Sequence, residues 1–510
     1  MVSRIGEKYQ TVVSLMLILL AIFIPLFFAV WSIIAGSIPF WYDNARDLLS
    51  GWDNLSKPTL IGPTSGISGI FYGPYWIWLL SLGTAISKDP RISAILVGII
   101  PYFLLFPLVL LYVFRSYAKS AVLAIWLLFM FGVGFAYAVN MWNPHIAPFL
   151  FLLFLAFFVK TGQMTKKQHV FFTISSGWTL GMLLNFHISF GIGVFLGVML
   201  YSFLVVLQNL RNKTIKEKMN MYLSKLSLFA FGMLLAGVPF LLFEIKHGLY
   251  QTRTLLQTFY SYGSTIQIKG LSDSQIIEHF FGKFGQLFHI SFGHAFFLEI
   301  GLAIYILVHI RKNTSYFTGW EKRLLLLLTT ISIGILFVYL TARNPVWEYH
   351  FICVEIIFLL FSIILVHKNR FLRSLIVIWV IIVGGMFALQ HTQRLSSNPL
   401  SFSSLVTKEF IVDIIAQDAH DNEYVVYAYN PSIYMYEYTY LFKWRYGKNI
   451  LFDPNMIPMG SQKVYLILPK DTMSALQDFV HYRTPSGEYR TSASWKIPDG
   501  TQVLKRERRN

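Results

Sequence analysis

The sequence predicts an all-α polytopic membrane protein with a small α/β domain at its C-terminal end. Three observations carry this. The 510 residues are 55% hydrophobic and only 13% charged, a charge fraction about half that of soluble domains. Apolar runs of about 18 to 25 residues recur, and roughly 20 residues at 1.5 Å rise cross a hydrocarbon core. The apolar pattern stops near residue 392, where strand-like and helix-like segments begin. The net charge of +17 would suit a nucleic-acid partner, but basic cytoplasmic loops explain it in a membrane protein. No nucleic-acid motif occurs. The single cysteine, Cys353, excludes an intramolecular disulfide and a thiolate metal cluster.

The apolar runs fall at 12–36, 70–87, 91–114, 120–139, 144–159, 169–185, 188–209, 226–243, 291–310, 324–341, 350–366 and 372–390. The first is too long for a signal-peptide core and reads as a retained helix. The run 70–87, rich in interfacial aromatics, decides the topology. If it crosses the bilayer, 17 basic residues between Arg115 and Arg373 face outside. If it lies in the interface, all 17 become cytoplasmic, and the short external loops keep one basic residue, Arg343. The positive-inside rule selects the second arrangement, with about 11 spans. The chain then lies in the cell (plasma or inner) membrane, N-terminus cytoplasmic and C-terminus extracytoplasmic. Residues 1–391 form the transmembrane domain, with large external loops at 37–90 and 245–290.

Residues 392–510 form the extracytoplasmic soluble domain. It contains a helix over Ser404–Ala419, a strand over Tyr424–Tyr429, an aromatic stretch 433–446, a strand over Lys463–Leu468 and a helix from Thr472. The charge run Lys505-Arg506-Glu507-Arg508-Arg509 reads as a solvated end.

This topology gathers the unusual polar residues at one face. Asp43 and Asp47, four apart, share a helix face directly after the first span, and Arg46 lies at i,i+3 from Asp43. They suit a solvated interfacial helix cap, or a general base with a guanidinium that orients it or holds a phosphate. Asp53 fits a turn. In Trp142-Asn143-Pro144-His145, Asn143 reads as an N-cap with Pro144 in the first helical position. His187, at a break between two runs, suits a kink or the wall of a polar pocket. Lys246 and Arg253 suit interfacial snorkelling or a lipid-phosphate site. Arg343, Glu348 and His350 share a tight external loop, where structural pairing and a phosphate or sugar contact are equally open. No nucleotide-binding loop or His/Cys metal spacing occurs. An Asp/Glu-plus-His site for a divalent metal is neither demanded nor ruled out by the spacing, and no cofactor is expected.

Three segments, Tyr42-Asp43-Asn44-Ala45-Arg46-Asp47, Leu60-Ile61-Gly62-Pro63-Thr64-Ser65 and Gly69-Ile70-Phe71-Tyr72-Gly73-Pro74-Tyr75, resemble the first external loop of bacterial family 39 glycosyltransferases. These are GT-C fold membrane enzymes related to protein O-mannosyltransferases and the lipid A aminoarabinose transferase. Trp142-Asn143-Pro144, Asn185-Phe186-His187 and Glu348-Tyr349-His350 are similar to later motifs. The resemblance implies inverting transfer of a sugar from a polyprenyl-phosphate donor to an acceptor hydroxyl on a lipid, glycan or protein. It places Asp43 as base and Asp47 beside it. Arg46, Tyr72, His187, Lys246, Arg253, Arg343, Glu348 and His350 are then the candidate substrate contacts. Two positions depart from the pattern. Family members often carry a second acid where this chain has Asn44, and the aminoarabinose transferases carry a lysine where it has Gly73. A polytopic transporter or flippase of envelope lipids or glycans is the rival reading. It predicts midplane charges and broken helices in related halves.

Overall fold

The computed structural model describes residues 2–509 apart from 66–68, 161–164, 211–214, 266–271, 273, 276, 279–280, 284, 286–316, 342–351, 398–403, 421–422, 430–433 and 449–461. The chain begins with α1 (Val2–Ile34), followed by α2 (Tyr42–Asn54) and α3 (Tyr75–Ile86). Next come α4 (Pro90–Val113), α5 (Lys119–Val139) and α6 (Asn143–Val159). The bundle continues with α7 (Lys166–Phe186), α8 (Ile188–Leu210), α9 (Ile215–Lys246) and α10 (Tyr250–Thr265). It closes with α11 (Gly319–Thr341), α12 (Val354–Lys368) and α13 (Arg370–Ser397).

Among the described residues, seven helices are long and apolar enough to cross a membrane; they lie in α1, α4, α5, α8, α9, α11 and α13. The protein is therefore a multi-pass membrane protein. The hydropathy count was about 11, and the run 291–310 lies outside the described residues. Helices α6, α7 and α12 occupy three further expected spans but fall short in length or apolarity. For α7 the cause is its interior face. Thr173, Ser176 and Thr179 are buried among neighbouring helices, so this helix need not be apolar all round.

The run 70–87 becomes α3, of 12 residues, about 18 Å long and too short to span. It packs against α2 instead. Its Trp76 is buried, and the indole Nε1–H donates to Asp47 Oδ2 at 2.9 Å. Ser81 Oγ donates to Gly51 O at 2.9 Å and accepts from Asn54 Nδ2 at 2.9 Å. The segment before α3 forms a hairpin, with Gly62 N–H donating to Tyr72 O and Tyr72 N–H to Pro63 O.

The tail folds as α14 (Leu405–Ala419), β1 (Val425–Ala428), α15 (Tyr436–Tyr446), β2 (Lys463–Leu468), α16 (Met473–Arg483), β3 (Tyr489–Lys496) and β4 (Gln502–Arg508). The sheet order is β1-β2-β4-β3, parallel between β1 and β2 and antiparallel elsewhere. Ser404 caps α14 by accepting from Thr407 N–H. The terminal charge run is solvated only at Arg508 and Arg509. Lys505–Arg508 belong to β4, an interior strand of the sheet. Arg506 is buried and donates to Thr484 Oγ1 and O, Tyr489 O and Thr491 Oγ1. Lys505 Nζ pairs with Asp418 at 2.8 Å. Those partners come from other elements, so the run in isolation carries no sign of them.

The tail is docked on the first loop. Leu405 N–H donates to Ile38 O and Val406 N–H to Gly36 O, both at 3.0 Å. The Arg91 guanidinium forks onto Glu409 at 2.7 and 2.8 Å. Tyr440 packs edge-on between Phe40 and Trp52, and its hydroxyl donates to Lys88 O at 2.7 Å. Asp53, expected in a turn, closes the last turn of α2 and accepts from Lys443 at 2.9 Å.

Candidate active site

Helix α2 starts where the chain leaves α1 and turns at Ser37–Trp41. Its first two turns hold the candidate site. Asn44 fixes this start. Its Oδ1 accepts from Trp41 N–H at 3.1 Å, while its Nδ2 donates to Met141 O and to Asn140 Oδ1 at 3.3 Å. The side chain is fully buried. An amide both donates and accepts, which an acid at this position would not do once ionised. Trp41 stacks edge-on against Trp142 at 5.4 Å, so the segment Asn140–Trp142 is bound to α2 by both polar and aromatic contacts.

The two carboxylates are joined through Arg46. Its Nε and Nη2 each contact Asp47 Oδ1 at 2.8 Å, and its Nη1 contacts Asp43 Oδ1 at 2.8 Å. The two acids differ in exposure. The Asp43 side chain is 26% exposed and that of Asp47 is 1% exposed. Asp43 thus remains accessible from outside the protein, and Asp47 anchors Arg46 from within. Trp41 Nε1 is buried and has no partner among the described residues. It is a spare donor two residues from Asp43.

Burial pushes the Asp47 carboxyl up to about 6, against the opposing pull of the Arg46 charge and its hydrogen bonds. Desolvation wins because the group is enclosed. The sign follows from linkage. The folded chain holds this proton more tightly than the unfolded chain, so the stabilising contribution is full below the ordinary value of 3.8 and is lost as pH rises through about 6. For the site the consequence runs the other way. Below about 6 the neutral acid grips Arg46 less strongly. Activity is expected to show an acid limb near pH 6, and a pH–rate profile of Asp47→Asn is expected to lack that step. An unchanged limb in the variant would assign it to another group.

The hairpin carrying Tyr72 is tied to α10. Phe71 N–H donates to Gln251 Oε1 at 2.7 Å. Glu244, buried at the end of α9, accepts from Gln251 N–H and Thr252 N–H, both at 2.9 Å. Lys246 and Arg253 flank this turn and are exposed. No hydrogen bond or ion pair joins either to Asp43, Arg46 or Asp47 among the described residues. Gly73 is a glycine for a steric reason, since a Cβ there would fall on the Asn185 carboxamide. The lysine that the resemblance led one to look for has no room at this place.

His187 is buried between α7 and α8, and its Nδ1 accepts from Phe190 N–H at 3.4 Å. Asn143 is not the N-cap; Trp142 holds that position, and Asn143 Nδ2 reaches across to Phe186 O at 3.2 Å. Arg343, Glu348 and His350 lie outside the described residues. Sequence reasoning missed Gln251 and the tail aromatics, of which Tyr436 packs on Tyr42 at 5.0 Å. The aromatic density of 433–446 was the available signal. Among the described residues no group of three His, Cys, Asp or Glu is placed to hold a metal ion.

No family model and no curated protein matches the sequence. The fold is similar to two crystal structures of ArnT from Cupriavidus metallidurans. The structure bound to undecaprenyl phosphate matches with TM-score 0.63 and 12% identity, over 98% of each chain. The apo structure matches with TM-score 0.58 and 12% identity, over 94% of this chain and 97% of that one. The GT-C fold implied by the first-loop resemblance is therefore the fold of the chain. At that identity the likeness is one of fold.

Proposed function

We propose that this chain is a membrane glycosyltransferase. It moves a sugar, with inversion, from a polyprenyl-phosphate donor to an acceptor hydroxyl on a lipid, glycan or protein, and Asp43 is its general base. The observation that carries this is the Asp43–Arg46–Asp47 chain, in which one carboxylate is accessible and the other is buried behind a shared guanidinium. A carboxylate held in this way suits proton removal from a hydroxyl. It stands in a fold shared along its whole length with a protein crystallised with undecaprenyl phosphate. The unpartnered Trp41 Nε1 adds a donor for a bound anion or sugar.

The 37–90 loop and the tail from 392 lie on the external face in this reading, where the 17 basic residues are not. The test is a donor screen. Purified protein is given a panel of polyprenyl-phosphate sugars, and release of polyprenyl phosphate is followed with and without acceptors. Release with one donor supports the assignment. Binding without cleavage of any donor would favour the transporter reading.

Lys246, Arg253, Arg343 and His350 are the candidates for the donor phosphate. Replacing a true phosphate ligand by Ala is expected to weaken donor binding by roughly 10- to 100-fold, the loss of one charge-assisted contact. Normal binding by all four single variants would remove this assignment.

A further inference from the structure

At the end of the bundle opposite α2, the ends of α6, α7, α8, α9 and α11 surround a cavity of about 490 Å3. Its walls include Phe158, Met199 and Phe229, and its polar side carries His169, Lys225 and Arg323. No acidic side chain lines it among the described residues. The serine and threonine hydroxyls in the wall are already used. Thr173 donates to His169 O, Ser176 to Thr173 O and Ser202 to Val198 O. Of the nitrogens, His169 Nδ1 lies 3.4 Å from Thr173 Oγ1, while its Nε2 is buried with no partner among the described residues. Three basic groups from three helices thus line one space, Arg323 at its exposed rim, and no carboxylate stands in the wall among the described residues. The Lys225 and Arg323 charges repel one another, and an anion between them would offset that.

The depth of the cavity identifies the anion. Lys225 precedes Glu244 on α9 by a helical rise of roughly 28 Å, about the thickness of a hydrocarbon core. Glu244 holds the turn beside the first-loop hairpin, so Lys225 lies at headgroup depth in the opposite leaflet. Next to it, Phe203, Leu223 and Leu226 are 58%, 54% and 45% exposed, and an apolar surface at this depth faces lipid. The space is therefore cationic where headgroups lie and apolar where chains lie. Basic pockets between spanning helices suit acidic lipid headgroups.

We infer that this cavity binds an anionic phospholipid, with its phosphate on His169, Lys225 and Arg323 and an acyl chain against Phe158, Met199 and Phe229. The site does not depend on the glycosyltransferase assignment. It lies across the bilayer from Asp43, and its ligand is a lipid of the surrounding leaflet.

The test uses full-length protein in detergent, with phosphatidylglycerol, phosphatidylcholine or inorganic phosphate added. Retained lipid is read by native mass spectrometry, and stabilisation by the shift in Tm. The expected result is retention of phosphatidylglycerol and a raised Tm, with neither effect from phosphatidylcholine. Lys225→Gln/Arg323→Gln is expected to weaken this by about tenfold or more, through the lost charge-assisted contacts. Lys166→Gln/Lys167→Gln makes the same charge change at the same end of the bundle, outside the cavity, and is expected to bind as the parent does. Equal weakening in the two double variants would mean diffuse charge attraction and would overturn the site. Equal stabilisation by inorganic phosphate would overturn the lipid assignment. Ser202→Phe fills the cavity and leaves all three basic groups in place. It is expected to lose the bound lipid, so full retention would also overturn the site, even if the first double variant failed to fold.

Discussion

Asp43→Asn is expected to lower single-turnover sugar transfer by about 10²- to 10⁴-fold, the usual contribution of a positioned base. The substitution keeps the size of the side chain, and its Oδ1 can still accept from Arg46, which lies 2.8 Å from Asp43 in the native chain. The start of α2 and the Arg46–Asp47 pair are then retained, so the loss falls on proton removal from the acceptor and not on folding or donor binding. Asp47→Asn is expected to cost less, because Asp47 is enclosed and acts through Arg46. The check is transfer measured with donor prebound, alongside thermal unfolding of the same preparation. Near-normal transfer by a folded Asp43→Asn protein would refute the base assignment and move the search to Asp47, Glu244 and Glu348.

The largest stability effect is expected at Asn44. Asn44→Asp replaces a buried amide that donates to Met141 O and Asn140 Oδ1 with a group that only accepts when ionised. Two carbonyl oxygens would then face a carboxylate in a dry site. An uncompensated buried charge costs about 3–5 kcal/mol. Asn44→Ala removes the contacts without adding a charge and is expected to cost about 1–3 kcal/mol. Thermal unfolding should therefore order the proteins as parent, Asn44→Ala, Asn44→Asp from most to least stable. An Asn44→Asp protein as stable as the parent would show that the pocket admits a cation or water able to serve a second acid.

This result bears on the most visible departure from the family pattern. From the residues alone, Asn44 is a missing second acid. In the structure it is the residue that pins α2 to the Asn140–Trp142 segment. Gly73 changes meaning in the same way. It reads as an absent lysine in the sequence and is a close approach to Asn185 in the fold. Neither neighbour is visible locally, because Asn140 is 96 residues from Asn44 and Asn185 belongs to another helix.

Several features were legible without the fold, because their causes are local. Apolar length alone marks α1, α4, α5, α8, α9, α11 and α13, since a span must satisfy its backbone internally and present carbon to lipid. Charge distribution marked 70–87 as non-crossing, and α3 is too short to cross. Spacing alone put Asp43, Arg46 and Asp47 on one helical face. The strand over Lys463–Leu468 and the helices starting after Ser404 and Thr472 also followed from local pattern.

Tertiary structure decided what those residues do to one another. Exposure separates Asp43 from Asp47, and the second acid is enclosed where it meets Trp76 from α3 and Arg46. Lys505 and Arg506 of the terminal run are not solvated because Thr484, Tyr489, Thr491 and Asp418 supply their partners. The start of α4 holds the tail because Arg91 meets Glu409, 318 residues away. A hydrophobic period or a helix face is set within a few residues of chain. Burial and the pairing of charges are set by what the rest of the chain brings alongside.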